Sequence, residues 1–378
     1  MARTLLLAAL AAALAACAWG LTATFDHGVA SGDPLPDGII IWTRVTPRVR
    51  EDRAPDNFTV GVAWSVSEAA DLSGPVAEGM FETNGTLDWT VKVDVRNLIS
   101  SVQYYYGFNV NGVSSKVGTF RLPKPAGEAM EQLKYALFAC ANWGFGYFNA
   151  YDLASRYDLD FHVHLGDFIY EYGLERSPNA EQAVRFAQQP KGLTPPHEAV
   201  SLDDYRKRYA LYRADPALQL LSAKSALIAV WDDHEITNNP WMGGASNHNP
   251  DEGEGDWVER WMAAVQAYHE WMPIRSYDSE GEFISKRIYR SFQFGDLATM
   301  IIIETRLMGR TKQDEGEEDS APNTVFGATV GVVGGLAPEE WQANNVSIQL
   351  EQIRDSANEF RSRDGKKILG DSQLSWVQ

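Results

Sequence analysis

The sequence predicts an α/β protein built from two successive parts, an antiparallel β-sandwich and a layered α/β domain. Three observations support this prediction. The chain has 378 residues, which is longer than one typical domain. Short strand patterns separated by turn residues fill residues 26–123. Buried strand patterns alternate with helical patterns over residues 133–378.

The β-sandwich is predicted from runs of alternating hydrophobic residues bounded by Gly, Pro, Asn and Asp. These runs are GIIIWTRV, FTVGVAWSV, WTVKVDV, VQYYYGFNVNG and VGTFRL. Short alternating strands with turn signals between them are typical of a sandwich of roughly one hundred residues. The stretch PKPAGEAMEQ that follows is predicted to be a linker.

The α/β domain is predicted from strands that are followed by helices. The strands are LKYALFAC, LDFHVHLGD, ALIAVWD and LATMIIIET. The helices are YFNAYDLASRY, SLDDYRKRYALYRADPALQLLS, DWVERWMAAVQAYHEWM and EEWQANNVSIQLEQIRDSANEF. Such alternation indicates a sheet covered by helices, in which polar residues just after the strands meet at the carboxyl edge.

The first 18 residues are predicted to be a signal peptide. Arg3 precedes an apolar run that is too short to span a membrane comfortably. The letters LAAC resemble a bacterial lipobox, in which Cys17 would carry a lipid anchor; plain secretion with cleavage nearby is the alternative. Both predict a secreted, periplasmic or extracellular-surface protein. Only Cys17 and Cys140 exist, so the folded body of the mature chain has at most one thiol and no internal disulfide is expected there.

The charge of the chain restricts its partners. It carries 33 basic and 51 acidic residues, a formal charge of -18. This balance argues against nucleic acids and anionic membrane surfaces as partners. An acidic protein that handled an anionic substrate would need local positive charge, most simply from bound cations. Composition does not indicate an oligomeric state.

Candidate functional residues cluster just after three predicted strands. They are Cys140 and Asn142 after the first strand, His164, Asp167 and Tyr170 around the end of the second, and Asp232, Asp233, His234 and Glu235 after the third. Carboxylate, imidazole, phenolate and thiolate groups bind hard or borderline cations. Each residue alone has a simpler explanation, such as a helix cap or a core side chain. Their joint placement predicts a metal site.

Several longer motifs resemble one family. LGDFIYEYG, AYHEWMPIR and YRKRYALYRADPALQLLSAKSALIAVWDDHEITNNPW are similar to segments of the alkaline phosphatase D (PhoD-like) metallophosphatases, and GVASGDPLPDGIIIWTRV resembles their N-terminal β-sandwich. The resemblance implies an Fn3-like sandwich followed by a calcineurin-like metallophosphatase domain. It also implies hydrolysis of small phosphate monoesters, and of some diesters, for extracellular phosphate acquisition, with Fe3+ and Ca2+ as cofactors.

The resemblance assigns roles to five residues. Cys140 matches a thiolate ligand of iron, Asp167 a carboxylate that bridges two metals, and Tyr170 a phenolate ligand of Fe3+. Asp233 and His234 match the Asn and His of the GNHE motif in related metallophosphatases. Asp233 would then bind the second metal, and His234 would stabilise the phosphoryl group or protonate the leaving oxygen.

Other residues of these motifs are candidates for supporting positions around the metals. They are Asn142, His164, Asp232, Glu235, Asn238 and Asn239. Arg206 and Arg208 are expected either to orient phosphate or to lie solvated on a helix face.

The chain departs from the family pattern near its end. The family continues with strands that include a late GDxH-like motif, whereas this sequence ends at ILGDSQLSWVQ, so the metallophosphatase domain is expected to be C-terminally truncated. A fragmentary gene model, completion by another chain and loss of catalysis are the three explanations. Glu304 also stands where the family has Asp. A catalytically inactive homologue or a binding module is therefore the alternative to a phosphatase.

Overall fold

The structure is a computed structural model of the chain. It describes residues 22–48, 58–174, 183–189, 191–276 and 287–312, the backbone of 330–334, and residues 373 and 375. The predicted signal peptide, Cys17 and the predicted helix EEWQANNVSIQLEQIRDSANEF lie outside the described residues.

Ten strands and a short 3-10 turn make up the first part of the chain. The strands are β1 (Thr22–Thr24), β2 (Val29–Leu35), β3 (Gly38–Arg44), β4 (Thr46–Arg48), β5 (Thr59–Ser67), β6 (Ala77–Asn84), β7 (Thr90–Arg96), β8 (Gln103–Val110), β9 (Val113–Ser114) and β10 (Gly118–Arg121), with the turn at Gly85–Leu87. Strands β2, β3 and β7 pair antiparallel in one sheet, and β10, β8, β5 and β6 pair antiparallel in another. Strand β9 pairs with β8, and β1 pairs with β4.

Burial along these strands follows the faces that they present to the core. In β5, Val60 and Val62 are buried, whereas the residues between and beside them are partly exposed. Strand β3 is different, because Ile39, Ile40 and Ile41 are all buried. Both faces of β3 are therefore covered, as expected for a strand in the interior of a larger sheet.

The second part of the chain contains eight strands, five helices and a 3-10 turn among the described residues. The strands are β11 (Tyr135–Phe138), β12 (Phe161–His164), β13 (Ala226–Ala229), β14 (Pro240–Trp241), β15 (Gly244–Ala245), β16 (Arg290–Phe294), β17 (Ala298–Ile302) and β18 (Val330–Gly334). The helices are α1 (Asn149–Ala154), α2 (Val184–Gln188), α3 (Leu202–Arg213), α4 (Pro216–Lys224) and α5 (Trp257–Trp271), and the turn is Pro250–Glu252.

One sheet joins the two parts of the chain. Strands β11, β12 and β13 are parallel, and β13 also pairs parallel with β2, so the sheet has six strands in the order β11-β12-β13-β2-β3-β7. The bridge between the two parts is the pair of Leu227 and Gly32. A side chain at position 32 would overlap the carbonyl oxygen of Pro273, so glycine is required for this close approach. The predicted sandwich and α/β domain thus share a sheet.

Local sequence signals determine where the helices begin. Ser201 and Asp204 form a capping box at the start of α3. The predicted long helix SLDDYRKRYALYRADPALQLLS is divided into α3 and α4 at Asp215, whose side chain caps α4 just before Pro216. Proline is favoured at the first helical position but interrupts a continuing helix, which explains the division.

The predicted strand LATMIIIET contains β17, which lies outside the six-stranded sheet. Strand β17 pairs antiparallel with β16 and β18 in a separate three-stranded sheet, and no residue of β17 pairs with the six-stranded sheet. The predicted strand is therefore confirmed, and it belongs to a separate sheet. No helix among the described residues combines the length and apolar character that crossing a membrane requires.

Candidate metal centre

The loops after β11, β12 and β13 are joined at the carboxyl edge of the sheet. The backbone N–H of Cys140 donates a hydrogen bond to the carbonyl oxygen of Gly166, at 3.2 Å. The N–H of Ala141 donates to the carbonyl oxygen of Asp167, at 3.1 Å. Parallel strands therefore carry the predicted strand-end residues to one place, as the sequence indicated.

Two of these loops hold residues in the left-handed region of backbone conformation. Cys140 and Asp167 both have φ 55, and Gly166 has φ 113. A side chain at position 166 would overlap the backbone of Asp232, so the glycine allows the second and third loops to touch. A left-handed conformation at a non-glycine residue costs about 1–3 kcal/mol and is concentrated at functional sites.

Asp167, Asp233 and His234 form the centre of the site. Each offers one ligand atom, and these atoms all lie within 4.8 Å of one another. The Tyr170 hydroxyl donates a hydrogen bond to Oδ2 of Asp167, at 2.9 Å. The N–H of Asn239 donates to Oδ2 of Asp233, at 3.0 Å, which fixes the second carboxylate.

Burial and mutual repulsion make the two aspartates a natural cation site. Burial, followed by the charge of Asp233, raises the pKa of Asp167 to about 7. Burial also opposes ionisation of Asp233, but the positive charges of His234 and Arg306 outweigh it and hold the pKa of Asp233 below its usual value. A cation between the two carboxylates would replace the proton that Asp167 otherwise keeps.

Cys140 and Tyr170 are further donors that contact Asp167, although Cys140 lies outside the close group of Asp167, Asp233 and His234. Cys140 is an exposed residue whose thiol contacts Asp167 and Tyr170, and partial burial of the thiol, followed by the charge of Asp167, raises its pKa to about 12. Burial and the same carboxylate raise the pKa of Tyr170 as well. Both groups therefore hold their protons at neutral pH unless a cation displaces them. Thiolate, phenolate and carboxylate are donor types that bind metal ions, so the residues present fit a metal site.

Glu171 orients the imidazole of His234 and was missed in the sequence. The Nδ1 atom of His234 lies 2.7 Å from Oε2 of Glu171, which is fully buried. The other carboxylate oxygen accepts a hydrogen bond from the N–H of Asn238, at 2.8 Å. Burial alone would lower the pKa of His234, but the neighbouring carboxylates, Glu171 foremost, outweigh burial and raise it to about 10. The only signal in the sequence is an acid inside the aromatic run FIYEY.

The Nε2 atom of His234 is the one that remains for the site. It lies 4.0 Å from Oδ1 of Asp233. The imidazole also stacks on the ring of Tyr170, with ring centroids 4.2 Å apart. The ring is thus held on one edge by Glu171 and on one face by Tyr170, with its second nitrogen directed toward the carboxylates.

The two aspartates of WDDHE have different partners. Oδ1 of Asp232 accepts a hydrogen bond from Nε of Arg306, at 2.7 Å, and the same guanidinium lies 3.8 Å from Asp233. Asp232 is therefore neutralised by an ion pair, whereas Asp233 faces the cluster. Arg306 was missed in the sequence. Glu304, the noted departure from the family, shapes the turn that carries Arg306 by accepting its N–H at 2.8 Å and that of Leu307 at 2.7 Å.

The remaining supporting candidates occupy different positions. Asn142 accepts a hydrogen bond from the N–H of Gly144, at 2.9 Å, and lines the cavity described below. Asn238 lines the same cavity, and Asn239 is exposed and left-handed, with φ 52. Glu235 is buried and accepts backbone hydrogen bonds from the loops of Asp167 and Asp232.

His164 is not brought to the cluster. Its Nε2 atom lies 3.0 Å from the Tyr151 hydroxyl, and its ring packs edge-on against Phe168. Burial lowers the pKa of His164 to about 3, so it is neutral. His162 shares its face of β12 and contacts Ser225, at 2.7 Å, because side chains two residues apart in a strand point the same way.

The two helical arginines also lie away from the cluster. Arg206 pairs with Glu270, at 2.6 Å. Arg208 is buried, and its guanidinium donates to backbone carbonyl oxygens that include Tyr172, at 2.9 Å, and Pro195, at 2.8 Å. Arg208 was expected either to orient phosphate or to lie solvated on a helix face. It is instead buried and bound to the backbone.

A cavity of about 790 Å³ opens onto the cluster. Cys140, Tyr170 and His234 line one side of it, and Phe145 and Tyr147 are among the apolar and aromatic residues that line the rest. The cavity is large enough for a small phosphate ester beside the ligand cluster.

Comparisons with known proteins converge on the family that the motifs resemble. The family model described as PhoD-like phosphatase matches residues 135–378, and the model of the PhoD-like phosphatase N-terminal domain matches residues 12–124. The chain is 33% identical over 325 residues to alkaline phosphatase D of Bacillus subtilis (strain 168), which covers 85% of this chain and 53% of that protein. A solved structure of PhoD superposes with a TM-score of 0.67 at 32% identity, covering 78% of this chain and 54% of that one. The chain thus spans about half the length of the relatives that it matches.

Proposed function

Because the chain belongs to the PhoD-like phosphatase family, we propose that it hydrolyses phosphate esters at the cluster of Asp167, Asp233 and His234. One observation carries this proposal. The ligand atoms of these residues lie within 4.8 Å of one another at the strand-end loops, beside a cavity of about 790 Å³. Phosphate monoesters are the proposed substrates, with diesters as a second class.

Fe3+ and Ca2+ are the proposed cofactors. Cys140 and Tyr170 would hold Fe3+, because thiolate and phenolate donors suit that ion, and Asp167 would bridge it to a second ion held by Asp233. A cation bound there would polarise a phosphoryl oxygen and lower the pKa of a water molecule. The raised pKa values of Cys140 and Tyr170 mean that loading should release protons.

His234 is the proposed acid that protonates the leaving oxygen or stabilises the phosphoryl group. Its Nδ1 atom is held by Glu171, which leaves Nε2 free to face the substrate. Its pKa of about 10 keeps the imidazole protonated at neutral pH, as an acid or an anion-stabilising group requires.

The finer architecture and the location of the protein are also proposals. We propose that the two antiparallel sheets of residues 26–123 form an Fn3-like sandwich and that residues 133–378 form a calcineurin-like domain. The antiparallel order of β10, β8, β5 and β6 opposite β2, β3 and β7 supports the first, and the parallel run of β11, β12 and β13 supports the second. Secretion for phosphate acquisition, with or without a lipid at Cys17, rests on the N-terminal apolar run alone.

The test is hydrolysis of p-nitrophenyl phosphate and bis(p-nitrophenyl) phosphate by the full chain loaded with Fe3+ and Ca2+. Asp233→Asn and His234→Asn should each lower kcat by about a hundredfold or more, since each removes a ligand or an acid. Asp71→Asn, an exposed aspartate in a turn of the first part, is the matched control and should leave kcat unchanged. Hydrolysis that survives both site variants would show that the reaction does not occur at this cluster, whereas a wild-type chain that binds no metal and hydrolyses neither ester would favour a non-catalytic homologue or binding module.

A further inference from the structure

Glu235 connects two of the three loops of the site through their backbones. Its Oε2 atom accepts hydrogen bonds from the N–H groups of Asp167, at 3.0 Å, and Asp232, at 2.9 Å. Its Oε1 atom accepts one from the N–H of Phe168, at 2.6 Å. The side chain is buried, with the residue 1% exposed, so water does not compete for these bonds.

The three donors lie at the ligands or immediately beside them. One N–H belongs to Asp167 itself and the next to Phe168, while Asp232 directly precedes Asp233. Asp167 is held in the left-handed conformation, with φ 55, which persists only where surrounding contacts enforce it. The three hydrogen bonds to Glu235 are among these contacts.

Resting on the proposed function, we propose that Glu235 is a positioning residue that sets the spacing between Asp167 and Asp233 before a cation binds. Its two oxygens are occupied by backbone donors, and it does not line the cavity. It therefore acts through the loops and not as a ligand.

Substitution by glutamine tests this role without changing the size of the side chain. An amide has one acceptor oxygen and one NH2 donor. If the oxygen keeps the place of Oε2, the NH2 group faces the N–H of Phe168; if the amide is reversed, it faces the N–H groups of Asp167 and Asp232. Either orientation sets donor against donor: the first displaces the N–H of Phe168, next to Asp167, and the second removes the acceptor that bridges the N–H groups of Asp167 and Asp232, so that the two loops separate.

The control is Asp88→Asn, which replaces another carboxylate by its amide. Asp88 is also nearly buried and left-handed, with φ 49, and it accepts hydrogen bonds from Arg44, at 2.7 Å, and Trp271, at 3.1 Å. It lies beside the 3-10 turn Gly85–Leu87 in the first part of the chain. Asp88→Asn therefore measures the effect of general destabilisation on the metal centre.

The experiment measures Mn2+ binding to the metal-free full chain from the electron paramagnetic resonance signal of free Mn2+, with Tm recorded for each variant. We expect Glu235→Gln to raise the Kd for Mn2+ about 10–100-fold, the usual effect of losing a partner that orients metal ligands. Asp88→Asn should lower Tm but leave the Kd unchanged. A Glu235→Gln chain that binds Mn2+ as tightly as the wild type would overturn the inference alone. A wild-type chain that binds no Mn2+ would overturn the proposed metal centre as well.

Amide hydrogen exchange in the wild-type chain gives a second measurement that does not depend on the folding of Glu235→Gln. The N–H groups of Asp167, Phe168 and Asp232 should be protected together in the metal-free protein, because the bridge exists before the cation binds. Rapid exchange of these amides without metal, followed by protection on Mn2+ addition, would mean that the cation and not Glu235 sets the loop spacing.

Discussion

Cation binding to the metal-free chain should weaken as the pH falls below 7, because a proton competes for Asp167. Burial and then the charge of Asp233 raise the pKa of that carboxyl to about 7. About half of this carboxyl is ionised at pH 7 and about one hundredth at pH 5, so the apparent Kd for Mn2+ should rise by about fiftyfold over this interval through Asp167 alone. Cys140 and Tyr170 have pKa values raised above this range, so their contribution to the slope of log Kd against pH is the same throughout it.

The sign of the effect on stability follows from the same shift. A carboxyl whose pKa is higher in the folded than in the unfolded chain favours the protonated folded state. Its contribution is fully present below the ordinary value of 3.8 and is lost as the pH rises through about 7. The contribution of Asp167 to the free energy of unfolding of the metal-free chain should therefore decrease over this interval, where cation binding becomes stronger.

Asp233→Asn identifies the carboxyl responsible. After burial, the charge of Asp233 is the largest cause of the raised pKa of Asp167. In Asp233→Asn, the pH at which the plot of log Kd for Mn2+ against pH changes slope should therefore be lower. Mn2+ titrations over the acidic and neutral range measure this, and denaturant unfolding of the metal-free chain reports the same change if the variant binds Mn2+ weakly. Asp71→Asn is the control and should keep the change near pH 7. A slope that is constant through pH 7, or that changes at the same pH in Asp233→Asn, would refute the reasoning.

Three further predictions concern single residues. Tyr170→Phe should abolish the visible absorption band of the Fe3+-loaded chain, because the band arises from charge transfer between a phenolate and ferric iron; a retained band would exclude Tyr170 as a ligand. Glu171→Gln should lower kcat for p-nitrophenyl phosphate about 10–100-fold with little change in KM, since it removes the charge that orients His234 and raises its pKa. An unchanged kcat would contradict that role. Gly166→Ala should lower the free energy of unfolding by about 1–3 kcal/mol or more in urea denaturation, because φ is 113 and the new methyl group meets Asp232. A smaller loss would mean that the loops can separate freely.

The sequence allowed the cluster at the strand ends to be predicted because each residue is positioned by the strand that immediately precedes it. Asp167 and Asp233 each follow a buried strand by a few residues, Cys140 follows the partly exposed strand β11, and parallel strands bring their carboxyl ends together. The same reasoning failed for His164, which lies inside β12 on the face that packs against Tyr151. Distance along the chain from the strand end, and not residue type, separates these two outcomes.

Partners that are distant in sequence could not be predicted. Arg306 lies 74 residues after Asp232, and no local pattern indicates which acid it neutralises. The pairing of β13 with β2 could not be predicted for the same reason, because Leu227 and Gly32 are almost 200 residues apart in the sequence. The tertiary contact at Gly32 leaves no space for a side chain and so permits the pairing through which the two parts of the chain share one sheet.

The distribution of positive charge near the site bears on how an anionic substrate could bind. No described residue that lines the cavity is a lysine or an arginine. The nearby arginines have other partners, since Arg306 pairs with Asp232 and Arg208 donates to backbone carbonyl oxygens. His234 and Arg306 both lie beside Asp233, and the carboxylates Glu171 and Asp233 offset the charge of His234. In a chain with a formal charge of -18, phosphate affinity should therefore depend on cations held by the same carboxylates that would otherwise repel the substrate.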